Sequence, residues 1–147
     1  MPADCVPLQK DRAVLFHNRA VCYHCLDQTD AVIADATAAL QLDPTYTRAR
    51  AQRMNALAGP GATPPQLQTA LADAAAVLAV DANHAAARHV QQTVPERLKR
   101  HEQEERDRML GELKGLGNRI LGQFGLSTDH FKFVEQPGGG YALNLQR

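Results

Sequence analysis

The sequence predicts a mainly α-helical fold: an array of helical hairpins, followed by a long C-terminal helix and a small β-hairpin tail. One stretch of the chain repeats at an offset of 34 to 38 residues. Apolar residues recur every three or four positions over residues 109–124, and residues 131–145 alternate between apolar and polar side chains around a run of glycines. A repeat of this period is typical of stacked helical hairpins, the second spacing is typical of an amphipathic helix, and the alternation is typical of strands.

Charge and composition limit the function. The chain of 147 residues carries 16 basic and 16 acidic side chains, so its formal net charge is zero. A neutral chain lacks the electrostatic footprint of a general nucleic-acid binder or of a protein that lies on a membrane surface. No long apolar run predicts a membrane span, and the first residues lack the pattern of a secretory signal. Three cysteines do not form a disulfide scaffold, so we expect a reducing compartment and a cytoplasmic protein.

The repeat predicts two helical hairpins within residues 9–94. Residues 34–44 align with residues 72–82 at an offset of 38, and six of the eleven positions are identical. Upstream, residues 18–20 align with residues 52–54 at an offset of 34. The extra residues of the second hairpin fall in a loop rich in glycine and proline, and we expect a short capping helix to close the array.

Local signals place the helices of the array. Thr29 or Asp30 is expected to cap the second helix, and Thr63, which is followed by two prolines, is expected to cap the fourth. The expected helices cover residues 9–26, residues 30–42, residues 45–58, a segment that follows Thr63, and a short fifth segment from Asn83 to Val94.

The C-terminal third is predicted as a helix over residues 95–126 and a hairpin over residues 127–147. Thr93 and Pro95 form a cap followed by proline in the first turn, which predicts the start of a new helix. The first half of this helix is densely charged and expected to be solvated, and Gly125 is expected to end it. Four glycines lie along its apolar second half, where we expect a neighbouring element to approach closely, with the hairpin as the cover.

These helices resemble the tetratricopeptide repeat. With Pro44 at the closing proline of the unit, Ala20 falls at the close-packing position of the first helix and Tyr23 at the aromatic position. Residues 9–20, 109–118 and 124–128 are similar to one branch of this family, in which three repeats precede such a helix and tail. The resemblance implies a shortened chain that begins at the second repeat and lacks the first. An open apolar strip is then expected, formed by Val14, Leu15 and Val21.

The resemblance implies a noncatalytic, co-chaperone-like adaptor that binds the C-terminal peptides of heat-shock chaperones. In the carboxylate clamp of such repeats, asparagine amides and lysine or arginine side chains converge on the carboxylates of the peptide. Asn18 matches the asparagine of the second repeat, Arg48 stands at the lysine position of the third, and Gln52 replaces its arginine. The resemblance therefore implies an incomplete clamp, with Asn18, Arg48 and Gln52 as the peptide-binding residues.

Three alternatives remain open. The first is a signalling adaptor that acts through the C-terminal helix and tail. The second is a thiol or metal protein that uses Cys22 and Cys25, and the third is an incomplete piece with no function of its own. The two cysteines lie in mid-helix, and a tetrahedral zinc site needs two more ligands, so we expect them to pack between helices. The histidines show no triad spacing and the glycine run is no phosphate loop, so we expect no enzyme, no metal and no cofactor.

Overall fold

The computed structural model describes the backbone of residues 5–136 and 140–145, and the side chains of residues 8–129 and 131. Its regular elements are α1 (Cys5–Cys25), α2 (Thr29–Leu42), α3 (Thr47–Leu57), α4 (Pro64–Val80), α5 (Ala85–Gly122), a short 3₁₀ turn (Thr128–His130), β1 (Phe131–Gln136) and β2 (Gly140–Leu145). The chain divides into two compact units, Met1–Lys99 and Arg100–Arg147. None of the helices in the described part of the chain is long and apolar enough to cross a membrane.

The first unit is built from helices that pack on their neighbours in the sequence. α1 contacts α2, α2 contacts α3, and α3 contacts α4. One buried cluster joins α3, α4 and the first part of α5 around Met54, Leu67 and Val77. A second cluster joins α1, α2 and α3 through Ala13, Ala39, Leu40 and Ala49. Alanine is frequent in both clusters, and a small side chain at the contact lets two helix axes approach closely.

The helix caps follow the local sequence only in part. The N–H of Thr63 donates to Gln66 Oε1 at 2.8 Å in a capping box, and Pro64 takes the first helical position of α4, as predicted. The cap predicted for α2 is wrong. Gln28 holds that position and makes no capping hydrogen bond with its side chain, so α2 depends on packing more than on its cap.

The predicted fold class is wrong in its C-terminal part. The short capping helix that was expected to end near Val94 and the separate helix from Pro95 are one continuous helix, α5, with the proline inside it. A proline removes one helical hydrogen bond and disfavours a helix interior. Packing outweighs this cost, because Val90 and Val94 are buried before the proline, and just after it Arg97 donates to the carbonyl oxygen of Gly59 at 2.8 Å.

The fold class is corrected to all-helical for the part of the chain whose packing the structure describes. The backbones of β1 and β2 pair antiparallel, from Phe131 opposite Leu145 to Gln136 opposite Gly140. No β layer packs on the helices in that part of the chain, so the predicted hairpin tail does not enter the fold class. The side chains that were expected to form its apolar side lie outside the described residues, namely Phe133, Tyr141, Leu143 and Leu145.

The second unit joins α5 to the turn that follows it. Gly125 adopts a φ of 70°, and the N–H of Leu126 donates to the carbonyl oxygen of Leu121 at 3.0 Å. This is the glycine-dependent helix ending expected at Gly125, because a left-handed residue lets the chain fold back onto the last carbonyl groups.

The expected close approach along the glycines of α5 holds at one position. A Cβ on Gly117 would lie 2.9 Å from Thr128 Cγ2, and Asn118 Oδ1 accepts a hydrogen bond from the N–H of Thr128 at 2.6 Å. At the other three glycines, Gly111, Gly115 and Gly122, no described atom lies within 4 Å of such a Cβ, and the hairpin side chains expected to cover them lie outside the described residues. The apolar side chains among them are each more than half exposed, namely Met109, Leu110, Leu113, Leu116 and Ile120.

Candidate functional site

Helices α1 and α3 present equivalent residues side by side. The two helices are in contact, and residues that are 34 positions apart take equivalent places on them. Residues at spacings of four and seven lie on one side of a helix, so each helix contributes one row. The row on α1 is Val14, Asn18 and Val21, and the row on α3 is Arg48, Gln52 and Asn55. We call these six residues, together with His17, the α1–α3 face.

The α1–α3 face is accessible. Val14 and Val21 are 42% and 43% exposed, Asn18 and Arg48 are exposed, and Gln52 is half-buried. The face therefore offers apolar surface on the α1 side, with the exposed Lys10 one turn before Val14, and a cation with amide groups on the α3 side. An extended peptide can use both, because its backbone matches amide donors and acceptors and its side chains alternate in direction.

His17 links the two rows of the α1–α3 face. Its ring stacks edge-on against Tyr46, with ring centroids 5.1 Å apart, and it lies beside Gln52 and Arg48. Burial lowers the pKa of His17, the neighbouring Gln52 side chain opposes this shift, and the charge of Arg48 adds to it. The imidazole is therefore neutral at neutral pH, and Arg48 carries the positive charge of the pair.

Two polar atoms at this junction are buried without a hydrogen-bond partner among the described residues. They are His17 Nδ1 and Gln52 Oε1. A buried polar atom that lacks a partner costs free energy, of the order of 1–3 kcal/mol. Both atoms are closed off from the surface of the α1–α3 face, and the two side chains that carry them lie beside each other.

The structure brings Arg48 and Gln52 together on one helix, beside His17. It places Asn18 on the same face of the neighbouring helix, exposed. Their role in peptide binding stays a prediction. His17 was missed by the sequence reasoning, although its position immediately before Asn18 is a signal that could have found it.

Each hairpin also carries a bidentate ion pair that the sequence reasoning missed. Arg19 Nε and Nη2 donate to the Asp35 carboxylate at 2.6 and 2.7 Å, and Arg53 Nε and Nη2 donate to the Asp73 carboxylate at 2.8 and 2.8 Å. Both aspartates are buried, and the hydrogen bonds that the arginines donate to them raise the pKa of each arginine. The aligned repeats hold the signal, because arginine and aspartate both recur in them.

Cys22 and Cys25 are free and exposed, so the expected packing between helices is wrong. They lie near the end of α1, where Leu26 is also exposed and only Tyr23 among the nearby large side chains is half-buried. Among the described residues, no group of three or more histidine, cysteine or acidic side chains is placed to hold a metal ion.

Comparisons with known proteins identify the fold of the array. No family model matches the sequence. The chain is similar to a solved structure, the first tetratricopeptide repeat domain of Spaghetti (RPAP3) bound to the HSP90 peptide SRMEEVD, with a TM-score of 0.52 and 26% sequence identity. The match covers 59% of this chain and 66% of that chain. The helical array is thus of the tetratricopeptide type, and it spans about two thirds of the length of the domain it matches.

Proposed function

We propose that this chain is a noncatalytic, cytoplasmic adaptor whose α1–α3 face binds an extended acidic peptide of the kind found at the C-terminus of heat-shock chaperones. One observation carries the proposal: Arg48, Gln52 and Asn18 share one accessible face in a fold whose solved neighbour is bound to the acidic peptide SRMEEVD. We also place the chain near tetratricopeptide repeat protein one, on the similarity of residues 109–118 and 124–128.

The chemistry of the face suits such a peptide. The Arg48 guanidinium can donate two hydrogen bonds to a carboxylate, and a charge-assisted hydrogen bond contributes about 1.5–3 kcal/mol. The amides of Asn18 and Gln52 can bind the peptide backbone, while Val14 and Val21 can cover one apolar side chain of the peptide. Few strong contacts are available, so we expect a dissociation constant of about 10–100 μM.

Calorimetry with the full chain and the SRMEEVD peptide tests this function. Arg48→Gln and Asn18→Ala are each expected to weaken binding by about tenfold, because each removes a polar contact to the peptide. Arg12→Gln is the matched control: Arg12 is exposed on α1 beside Leu15 and Phe16, away from the α1–α3 face. Binding that is submicromolar and unchanged by the first two substitutions would place the peptide elsewhere.

A second candidate function is a signalling adaptor that binds partners through the second unit. The exposed apolar row on α5, which includes Leu113 and Ile120, favours it, because large exposed apolar patches mark interaction sites. A partner of this kind stays bound in excess SRMEEVD peptide and is lost in the double variant Leu113→Glu/Ile120→Glu. Displacement by the peptide instead would assign that partner to the α1–α3 face.

A further inference from the structure

Four apolar side chains of α5 have the spacing of a two-stranded coiled coil. They follow one another at intervals of four, three and four residues, namely Met109, Leu113, Leu116 and Ile120. Alternating steps of three and four keep such residues on one stripe of a helix, where they can pack against a second helix with the same stripe. Each of the four side chains is more than half exposed. We call these four residues the α5 row.

The turn that follows α5 packs beside the α5 row. A backbone N–H of the turn donates to Asn118 Oδ1, and Asp129 pairs with Lys114. At about 100° per residue, Asn118 and Lys114 lie more than about 120° around the helix from the middle of the row. Phe131 borders the edge of the row at Leu113, which is still 64% exposed. The contacts that the structure describes for the turn therefore leave the row accessible.

Glu112 and Arg119 border the α5 row on one flank. Each stands one residue before a member of the row, Leu113 or Ile120, and both are exposed. Glu112 Oε1 lies 3.9 Å from Arg108 Nε of the same helix. A contact of that length between exposed side chains contributes little, so Glu112 is available to a second helix.

The α5 row is complementary to its own reverse. When two copies of the row run antiparallel, Leu113 of each copy lies against Leu116 of the other. The same register sets Met109 of each copy against Ile120 of the other, so all four side chains are covered. Apolar side chains that enter the facing stripe in this way give the packing of a coiled coil.

The charged residues select the antiparallel direction. In that register Glu112 of each copy comes beside Arg119 of the other, so the symmetry of the pair forms two ion pairs. A parallel pair lacks these contacts, and it sets Arg106, which continues the stripe before Met109, against Arg106 of the second copy. Like charges that face each other disfavour such a dimer. In the antiparallel pair Arg106 faces the uncharged Gln123 instead.

We propose that the α5 row is a docking surface for a second copy of this chain, and that the two α5 helices pair antiparallel through it. The inference does not depend on the peptide-binding function of the α1–α3 face. The overlap from Met109 to Ile120 is about 17 Å long, so it buries an area at the low end of specific interfaces. We therefore expect a dissociation constant of the dimer of about 10–100 μM.

Sedimentation equilibrium of the full chain tests the inference first. Between about 5 and 500 μM a monomer–dimer equilibrium is expected. The double variant Leu113→Glu/Ile120→Glu should weaken self-association at least about tenfold, because it sets carboxylates in the apolar stripe. A chain that stays monomeric at the highest concentration overturns the inference. A dimer that is unchanged in the double variant also overturns it, because the two copies then meet elsewhere.

Charge reversal tests the antiparallel register. Glu112→Arg and Arg119→Glu each place like charges together twice in the dimer, so each is expected to weaken self-association about tenfold. An equal mixture of the two variants pairs arginine with glutamate at both contacts, and it should associate within about threefold of the unchanged chain. A mixture that associates no better than either variant alone would contradict the register.

Glu104→Arg and Arg100→Glu are the matched controls. They make the same two changes of net charge at exposed positions on the side of α5 away from the row. Each should associate within about twofold of the unchanged chain, and mixing them should add nothing further. Circular dichroism checks that every variant folds. If the control variants weaken and recover on mixing in the same way, net charge governs the association, and the proposed contact is wrong.

Discussion

The two hairpins of the first unit carry the same ion pair in different surroundings. Arg19–Asp35 and Arg53–Asp73 arise from equivalent positions and share a bidentate geometry. The Arg19 side chain is 56% exposed and lies over the rings of Phe16 and Tyr23, whereas that of Arg53 is 20% exposed.

The neighbouring helix makes the difference. Arg53 belongs to α3, which packs on α2, and its Nη1 reaches Thr37 Oγ1 at 3.5 Å. The Arg19 side chain is solvent-exposed, and among the described residues its hydrogen bonds go to Asp35 of its own hairpin. Because water screens charge, an ion pair of the same geometry contributes less to stability where its cation is solvated. The position of a repeat in the array thus decides how much a repeated interaction matters.

The largest expected effect is the loss of the covered pair. Arg53→Met leaves the Asp73 carboxylate buried without its partner, and we expect the free energy of unfolding to fall by about 2–3 kcal/mol, measured by urea denaturation. The double variant Arg53→Met/Asp73→Leu should regain most of this loss, because two apolar side chains can replace a buried ion pair at little cost.

Arg19→Met is the matched variant in the first hairpin. Removing an exposed arginine opens Asp35 to water, which can hydrate the carboxylate, so the loss should be clearly smaller than for Arg53→Met. Equal losses in the two single variants would contradict the role of burial in the comparison.

The turns that follow α2 and α4 give a smaller contrast. Asp43 accepts hydrogen bonds from the N–H and the hydroxyl of Thr45 at 3.0 and 2.6 Å, whereas Asp81 accepts one from the N–H of Asn83 at 3.0 Å. We expect Asp43→Ala to lower the free energy of unfolding by about 1 kcal/mol and Asp81→Ala by about half as much, measured by urea denaturation.

The pH dependence of the Asp43 contribution follows from its pKa. The Thr45 hydroxyl holds the pKa of Asp43 below its ordinary value of 3.8, so the contribution is present above that value and is lost as the pH falls through the pKa of the folded state. The difference in the free energy of unfolding between Asp43→Ala and Asp81→Ala, the gap between the two variants, should therefore close in acid. A gap that stays constant down to about pH 2 would contradict this assignment.

The turns inside the two hairpins differ in backbone strain. Asp27, after α1, has a φ of 56°, while the loop of the second hairpin has glycine at its own positive φ, Gly61 at 75°. A non-glycine residue in this region is strained, so Asp27→Gly should raise the free energy of unfolding by about 0.5–1 kcal/mol in thermal melts. Gly61→Asp is the converse, and its side chain meets open space, so it should lower stability by a similar amount. Two changes of the same sign would show that strain is not the cause.

The smallest effect concerns His17, which lies beside Arg48 and Gln52 of the second hairpin. Burial lowers its pKa below the ordinary value of 6.5, so the unfolded chain takes up a proton first as the pH falls. Stability is therefore lost as the pH falls from 6.5 through the pKa of the folded state. The Tm of the unchanged chain minus the Tm of His17→Gln should therefore decrease as the pH falls from about 7.5 to about 5. The other histidines are common to both proteins and cancel, so an unchanged difference would contradict the shift.

The candidate site was predictable to the extent that it repeats. Asn18 and Gln52 are 34 positions apart, as are Arg19 and Arg53. The sequence therefore places the amides and the arginines on consecutive faces of α1 and α3. The pairing of the arginines with buried aspartates was not deduced, because it joins residues 16 and 20 positions apart on different helices. The meeting of His17 with Arg48 needs the contact between two helices, which no local pattern specifies.

The sequence by itself determined the features that depend on a few neighbouring residues. The repeat spacing predicts the two hairpins, Thr63 and Pro64 begin α4, and Gly125 ends the last helix, because caps and positive φ angles are local properties. The tertiary structure decided what local rules left open or opposed. α5 continues through Pro95 because Val94 and Arg97 are held by the rest of the first unit, and the same ion pair is covered in one hairpin and solvated in the other. Burial and long-range hydrogen bonds contribute more free energy at these places than the local preference they override.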